Sequence, residues 1–473
     1  MFWNFEKNIL NRTALIDTNN GTEVTYKELD RDCNRIVQNL KNNKKQLAFL
    51  LCENSYSSIL SYIALLKSGC AILLLDSKLD SELLNNLIAK YSPELIFSSN
   101  QKDISNYSSS IHINGINIHR IKLNQSNSDL YDDLAVLLST SGTTGSSKLV
   151  RLSYANIQSN AESIANYLDI TKNDKPITSL PMSYSYGLSV INSHLLKGAT
   201  IILTNGSIVL RNFWDIFNKY KCTSFAGVPY SYQLLQRTHF EKLDLPTLKT
   251  LTQAGGNLSE SFQKYFAEYS EKRNIKFFVM YGQTEATARI SYVPPEKLNY
   301  KFGSIGISIP GGELKLYSEN KIISDQEKEG EIVYSGKNVM LGYAEDRNSL
   351  NNDDQLNGVL YTGDLGKIDS DGYFYITGRV KRFIKIFGMR LNLDEAERMI
   401  ENHIKRPVAC IGNDDQLNIL IKDNNEVLEI EVRKKIKELY KIHNSVIRVN
   451  EVKSIPVTPS GKRDYKKMYE LIR

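Results

Sequence analysis

The sequence predicts an α/β protein with a large N-terminal body and a small C-terminal lobe, and three observations carry this. Over the first hundred residues, strands apolar on both faces alternate with amphipathic helices, which calls for a mainly parallel sheet covered on both sides. From about residue 301, glycines punctuate short strands such as GEIVYSG and GYFYITG, the texture of a small β-rich unit. After Gly378 the last ninety or so residues read as a separate α+β lobe.

Taken in order, the elements have local causes. Thr25 and Glu28 stand at capping-box spacing, where hydroxyl and carboxylate satisfy orphan backbone donors. Behind them Leu29, Cys33, Ile36, Val37 and Leu40 recur on one helical face. LAFLL is a buried strand, followed by a helix around Ile59, Ile63 and Leu66 that stops at Gly69. AILLLD is the next strand, Leu83, Leu84, Leu87 and Ile88 make another helical stripe, and ELIF another strand. In the C-terminal lobe, helical patterns run from Asp394 and from Glu429. The basic stretch RVKRFIK is interleaved with apolar residues and reads as an interdomain strand, not a nucleic-acid patch.

The chain has 473 residues, 41% of them hydrophobic, enough for two or three domains with a large core. Its formal net charge of +6 is mild for this length and argues against a dedicated nucleic-acid binder. The five cysteines (Cys33, Cys52, Cys70, Cys222, Cys410) are scattered with no Cys-x-x-Cys pair, which points to reduced thiols in a cytoplasm. The start lacks a signal-peptide layout, and the most apolar stretch, 59–75, is broken by Lys67 and Gly69, so no membrane span is expected. His-Glu-x-x-His and Gly-x-Ser-x-Gly are both absent, which removes metalloprotease and esterase readings.

The most informative segment is LLSTSGTTGSSKLVRLSYANI at 137–157. An apolar strand runs into a loop of small hydroxyl residues and glycines, then Lys148. Gly142 and Gly145 let successive N–H groups turn inward; Ser139, Thr140, Ser141, Thr143 and Thr144 add hydroxyl donors, and Lys148 adds charge, a chemistry suited to polyphosphate. A Walker-type loop is excluded, because Lys148 follows Ser147 and precedes Leu149. The segment resembles the phosphate loop of the adenylate-forming superfamily, which holds acyl-CoA synthetases, adenylation domains and luciferases. It departs from that pattern with Ser147 at the proline and Leu149 at the second glycine; neither change removes a phosphate donor. LPMSYSYGL, TQAGGNLSE, MYGQTEAT, LYTGDLG, GRVKRFIKIFGMR and PVTPSGKRDY follow in the superfamily's order, so the similarity spans 25–466.

The resemblance implies two doubly wound βα subdomains and a small β-barrel-like subdomain within 1–380 (roughly 1–170, 171–302 and 303–380), and a mobile α+β domain at 381–473. It implies an enzyme that converts a carboxylic acid and ATP to an acyl-adenylate and pyrophosphate, then passes the acyl group to a thiol of CoA or of a phosphopantetheinyl carrier protein. Lys462 is then the catalytic cation, Thr284 an α-phosphate contact and Glu285 the ligand of Mg²⁺. Gly255, Gly256 and Asn257 line adenine, with Tyr281 and Gly282 beside them; Tyr281 offers a stacking face. Asp364 is placed on the ribose hydroxyls and Arg379 on ribose or phosphate, although Gly-Asp alone is only a turn signal. Lys381 is the implied hinge and Gly388 lies on the thiol side.

By the same resemblance Tyr184, Phe225, Gly227 and Ala254 line the acyl pocket. SYSYGLSVINSHLL contains no acidic residue to pair with an ammonium, which disfavours an ordinary α-amino acid. Arg289 either contacts a polar or anionic group of a short substrate or forms a surface or structural ion pair. The rival functions are a stand-alone amino-acid adenylation enzyme loading a carrier protein, a catalytically dead scaffold that keeps the fold, and a luciferase-type oxygenase. The first is separated by CoA consumption, the second by carboxylate-dependent AMP formation, and the third requires a specialised acyl pocket that the sequence does not display.

Overall fold

A computed structural model describes the chain except residues 41–43, 100–103, 105–106, 122–128, 140–147, 319–320, 324–327, 381, 387–388, 414, 441, 459–461 and 473. Of residues 109–110, 383, 385, 389–390 and 439 it describes the backbone alone.

The strand Leu47–Cys52 is buried along its whole length. Its residues alternate between two cores: Ala48, Leu50 and Cys52 join one, Leu47, Phe49 and Leu51 the other. This is the double-sided sheet that the apolar runs predict. In an eight-stranded sheet the parallel centre is Leu134–Ser139, Ala71–Asp76, Leu47–Cys52 and Leu95–Ser98. The flanking strands, however, pair antiparallel. One cause is visible at the phosphate loop. Ser139 pairs with Leu149, and the connection between them is shorter than the dozen or so residues a parallel crossover takes.

The capping box forms: Glu28 N donates to Thr25 Oγ1, and Thr25 N donates to a Glu28 carboxylate oxygen at 2.8 Å, at the start of helix Tyr26–Leu40. A second sheet has Ser224–Gly227, Thr250–Gln253 and Lys276–Tyr281 parallel, then Ser291–Val293 and Ile307–Ser308 antiparallel. Its main core is aromatic, built on Phe213, Trp214, Phe225, Tyr232, Phe266 and Phe277. The glycine-rich segment forms a five-stranded antiparallel sheet that includes Gly330–Gly336, Val359–Ile368 and Phe374–Arg379.

Strands cross the sequence boundaries between these units. Thr13–Asp17 pairs with Ile201–Leu203, and Gly342–Ala344 joins the first sheet against Leu149–Ser153. The second exchange is fixed by Arg151, fully buried, whose guanidinium donates to the carbonyls of Leu341 and Asp353 and to Gln355 Oε1.

In the C-terminal lobe the basic stretch forms a hairpin, Phe383–Ile386 against Met389–Asn392. Helix Leu393–Ile404 follows, then a three-stranded sheet of Val408–Asn413, Gln416–Lys422 and Ile447–Val452. The second helical pattern starts at Glu426, three residues earlier than its apolar stripe suggests, because the Asn425 side chain accepts from Leu428 N and opens the turn.

Candidate active site

Strand Lys276–Tyr281 delivers Tyr281 to the carboxyl end of the second sheet, where open α/β sheets place their ligands. The Tyr281 hydroxyl donates to Asp364 Oδ2, and burial together with the Asp364 charge pushes its pKa well above the ordinary tyrosine value. It therefore stays a donor. Asp364 is buried and pairs in register with Arg379 across an antiparallel ladder, which brings Arg379 Nε to 3.1 Å from Asp364 Oδ1. Gln283 Nε2 also donates to Asp364 Oδ2 (2.9 Å) and to the Thr362 carbonyl (3.0 Å).

Gly255 follows strand Thr250–Gln253 with φ +85°, and a side chain there would strike the Tyr184 hydroxyl. Gly256 and Asn257 continue this turn exposed to solvent, with Gln253 Nε2 donating to the Gly256 carbonyl at 2.9 Å. Gly282 packs against the Ala288 carbonyl.

Thr284 opens a single 3₁₀ turn, Thr284–Ala286, and its Oγ1 lies 3.2 Å from Ser185 Oγ at the first turn of helix Ser185–Leu196. Glu285 Oε1 accepts from the Tyr343 hydroxyl at 2.9 Å, while its backbone carbonyl accepts from Met340 N. Lys148 lies 2.6 Å from Glu345 Oε1 and 6.0 Å from the Tyr343 ring centroid. Tyr343 thus bridges Glu285 and the end of the predicted phosphate loop. Thr140, Ser141, Gly142, Thr143, Thr144 and Gly145, together with the hinge residue Lys381 and Gly388, lie outside the described residues.

Lys462 reaches this cleft from the C-terminal lobe. Burial and the nearby Arg379 charge pull its pKa below the ordinary lysine value, while Glu285 and Asp364 oppose the shift. Its turn is closed by Lys462 N donating to Thr458 Oγ1 and by Thr458 N donating to the Lys462 carbonyl. The next residue, Arg463, is ion-paired to Glu397 and Glu401. Glu397 is buried and also accepts from Arg382 Nη2, Cys410 N and the Tyr465 hydroxyl. One carboxylate thus ties the lysine turn to Arg382, the neighbour of the predicted hinge.

Beside the cleft, a cavity is lined by Ser189, Ser193, His194, Phe225, Thr252 and Arg289 among others. Phe225 and Arg289 are the predicted acyl residues on its wall; Tyr184, Gly227 and Ala254 are not part of its lining. Ala254 is buried, and Gly227 packs against Phe225 and Tyr232. Arg289 is 2% exposed and makes no ion pair among the described residues. Its guanidinium lies 3.8 Å from the Tyr186 ring centroid, and its Nε has no hydrogen-bond partner.

Residues 2–344 match the family described as AMP-binding enzyme. The chain belongs to that family. Among relatives of this AMP-binding enzyme, a probable 4-coumarate–CoA ligase 2 of Dictyostelium discoideum is 31% identical over 320 residues, which are 64% of this chain and 57% of that protein. The chain thus spans a little over half the length of the first curated relatives it matches. A D-alanine–D-alanyl carrier protein ligase of Staphylococcus epidermidis is 24% identical over 95% of this chain and 94% of its own. Two solved structures share the fold. Klebsiella oxytoca NpsA in complex with 3-hydroxyanthranilyl-AMSN has a TM-score of 0.80 at 18% identity, covering 98% of this chain and 97% of that one. The Bacillus subtilis o-succinylbenzoate coenzyme A synthetase complex with ATP and magnesium has a TM-score of 0.76 at 23% identity, covering 97% and 96%.

In this AMP-binding enzyme the fold brings Tyr281, Thr284, Glu285, Asp364, Arg379 and Lys462 to one cleft. Sequence reading missed Gln283, Ser185, Tyr343 and Glu397. Gln283 and Ser185 lie inside quoted motifs at positions with no distinguishing residue pattern. Tyr343 and Glu397 carry no local signal: Tyr343 bonds to Glu285, 58 residues away, and Glu397 ties to the lysine turn through Arg463, 66 residues away.

Proposed function

We propose that this chain joins a carboxylic acid to a thiol by way of an acyl-adenylate. The observation that carries the reading is Lys462, set by the C-terminal lobe among Arg379, Glu285 and Asp364. A cleft holding two carboxylates and two cations suits a nucleotide: Asp364 accepts the ribose hydroxyls, Tyr281 presents its ring to adenine, and Arg379 and Lys462 face the phosphates.

In the first half-reaction a carboxylate oxygen bonds to the α-phosphorus of ATP while the bond to the β-phosphate bridging oxygen breaks, releasing pyrophosphate. Lys462 supplies a preorganised cation where negative charge builds, and Thr284 donates to the α-phosphate. Glu285 suits Mg²⁺: one oxygen is held by Tyr343, the other has no hydrogen-bond partner among the described residues, and no cage of three or more metal-ligating side chains surrounds it there. A single carboxylate fits a hard cation whose remaining ligands are phosphate oxygens and water. That ion neutralises phosphate charge when bound. The loop 140–145 and Lys148 would cradle the β- and γ-phosphates.

In the second half-reaction the thiol sulfur bonds to the acyl carbon, the bond to the AMP oxygen breaks, and the thiol proton is lost. The domain division falls near residue 380, with Lys381 as hinge and Gly388 on the thiol side; Arg382, anchored to Glu397, supports this reading by making the hairpin after residue 381 part of the lobe. The acceptor is CoA or a phosphopantetheinyl carrier, and the five buried, unpaired cysteines suit a reducing compartment such as the cytoplasm.

The amino-acid-loading alternative draws support from the carrier-protein ligase relative, which matches nearly end to end. Against it stands a buried arginine in the cavity wall, where an ammonium calls for a carboxylate. The test is a carboxylic-acid panel monitored for AMP release with and without CoA. A carboxylate-dependent product formed only with CoA supports the thiol-ligase reading. No carboxylate-dependent AMP from any acid removes it.

A further inference from the structure

We infer that the acid activated here carries a second carboxylate at the far end of a short chain, and that Arg289 receives it. This rests on the adenylation reading above. A guanidinium cannot shed its charge, so burying one requires hydrogen-bond acceptors or a counter-ion. Among the described residues Arg289 pairs with no carboxylate, and its Nε has no hydrogen-bond partner. What it does have is the face of Tyr186 and the hydroxyl of Tyr167, neutral groups that offset a buried cation only in part. The missing partner is an anion from outside the chain.

The cavity wall is consistent with that anion. Ser189, Ser193 and Thr252 line it with neutral hydroxyls, and His194 is kept uncharged by burial. The one lining carboxylate, Asp174, is already committed: it accepts from Thr171 N and Oγ1 and from Thr223 Oγ1. The cavity volume is about 30 Å³.

Arg289 is also held in place. Asn338 Nδ2 donates to the carbonyls of both Ala286 and Arg289 (2.8 and 2.9 Å), and the Tyr334 hydroxyl donates to Asn338 Oδ1. The same short segment carries Thr284 and Glu285. The reacting carboxylate and the distal carboxylate would therefore be read by one rigid stretch of backbone, with a planar fork suited to bidentate pairing at the distal end.

The experiment is ATP–pyrophosphate exchange by the full chain with malonate, succinate and glutarate beside propionate, butyrate and pentanoate, in wild type, Arg289→Met and Arg289→Lys. At least one diacid is expected to exceed its monoacid counterpart in kcat/KM by about 100-fold, the scale of a buried charge-assisted pair. In Arg289→Met that ratio falls to near one, and Arg289→Lys retains an intermediate preference. Thermal shift gives a second readout: the preferred diacid raises the wild-type midpoint and leaves that of Arg289→Met unmoved. Equal use of mono- and diacids by wild type, or an undiminished diacid preference in a folded Arg289→Met, overturns the inference while adenylation stands. Absence of exchange with every acid overturns the adenylation reading, and this inference with it.

Discussion

The Tyr281 hydroxyl and Asp364 Oδ2 lie 2.5 Å apart, a hydrogen bond that joins the carboxyl end of the second sheet to the antiparallel sheet 83 residues later. The contact tethers the tip of the tyrosine and the pose of the carboxylate at once. With Gln283 and Arg379 it holds the Asp364 carboxylate in one orientation.

Removing that hydroxyl separates the two roles. Tyr281→Phe keeps the stacking face and is expected to raise KM for ATP by about 3–10-fold with kcat little changed. Asp364→Ala removes the acceptor itself and is expected to raise it by about 100-fold, the scale of hydrogen bonds to a charged group. Initial-rate kinetics of AMP formation at varied ATP measure both. Equal effects from the two substitutions would show that the tyrosine, not the carboxylate, carries nucleotide recognition.

Lys462→Ala is expected to lower carboxylate-dependent pyrophosphate exchange by about 10²–10³, the cost of losing one preorganised donor at a developing charge. Because burial and Arg379 depress its pKa, the alkaline limb of the pH–rate profile belongs below the range of an ordinary lysine. Lys462→Arg, which stays charged, removes that limb. An unchanged alkaline limb in this variant would assign the titration to another group.

The parallel core was legible because burial on both faces writes itself as unbroken apolar runs, as at Leu47–Cys52 and Ala71–Asp76. The candidate nucleotide-site residues were named through the resemblance of their short motifs to those of the adenylate-forming superfamily. The exchange of strand Gly342–Ala344 into the first sheet was not, since its cause is Arg151, nearly two hundred residues upstream, bonding to backbone carbonyls that any sequence supplies. For Arg289 the sequence raised the right question, yet its lack of an ion pair could be read only from its neighbours in space.

Glu397 offers a test of how the lysine is held. It is buried under two guanidinium groups, and its loss leaves Arg382 and Arg463 short of their counter-charge. Glu397→Ala is expected to destabilise the C-terminal lobe by about 3–5 kcal/mol, the usual cost of breaking a buried pair. Urea unfolding followed by circular dichroism measures this. Pyrophosphate exchange is expected to fall through kcat more than through KM for ATP, because the lysine turn loosens while the nucleotide contacts of the large body remain.

His194 sets an acid limit on the fold. Its imidazole is buried in helix Ser185–Leu196 with Nδ1 against the Val190 carbonyl, and burial lowers its pKa to about 4, with that hydrogen bond and Asp174 opposing. In the unfolded chain the same ring titrates near 6.5. Between these values the unfolded chain holds a proton that the native protein does not, so stability falls as pH drops from about 6.5 to about 4. The full loss is about 3 kcal/mol, from roughly 1.4 kcal/mol per unit of difference. His194→Gln keeps a polar side chain of similar length and cannot take up the proton. It is expected to unfold at a lower midpoint at pH 7.5 but to lose less stability on acidification to pH 5. Urea midpoints measured for both proteins at the two pH values decide the matter, and parallel losses would place the acid sensitivity elsewhere.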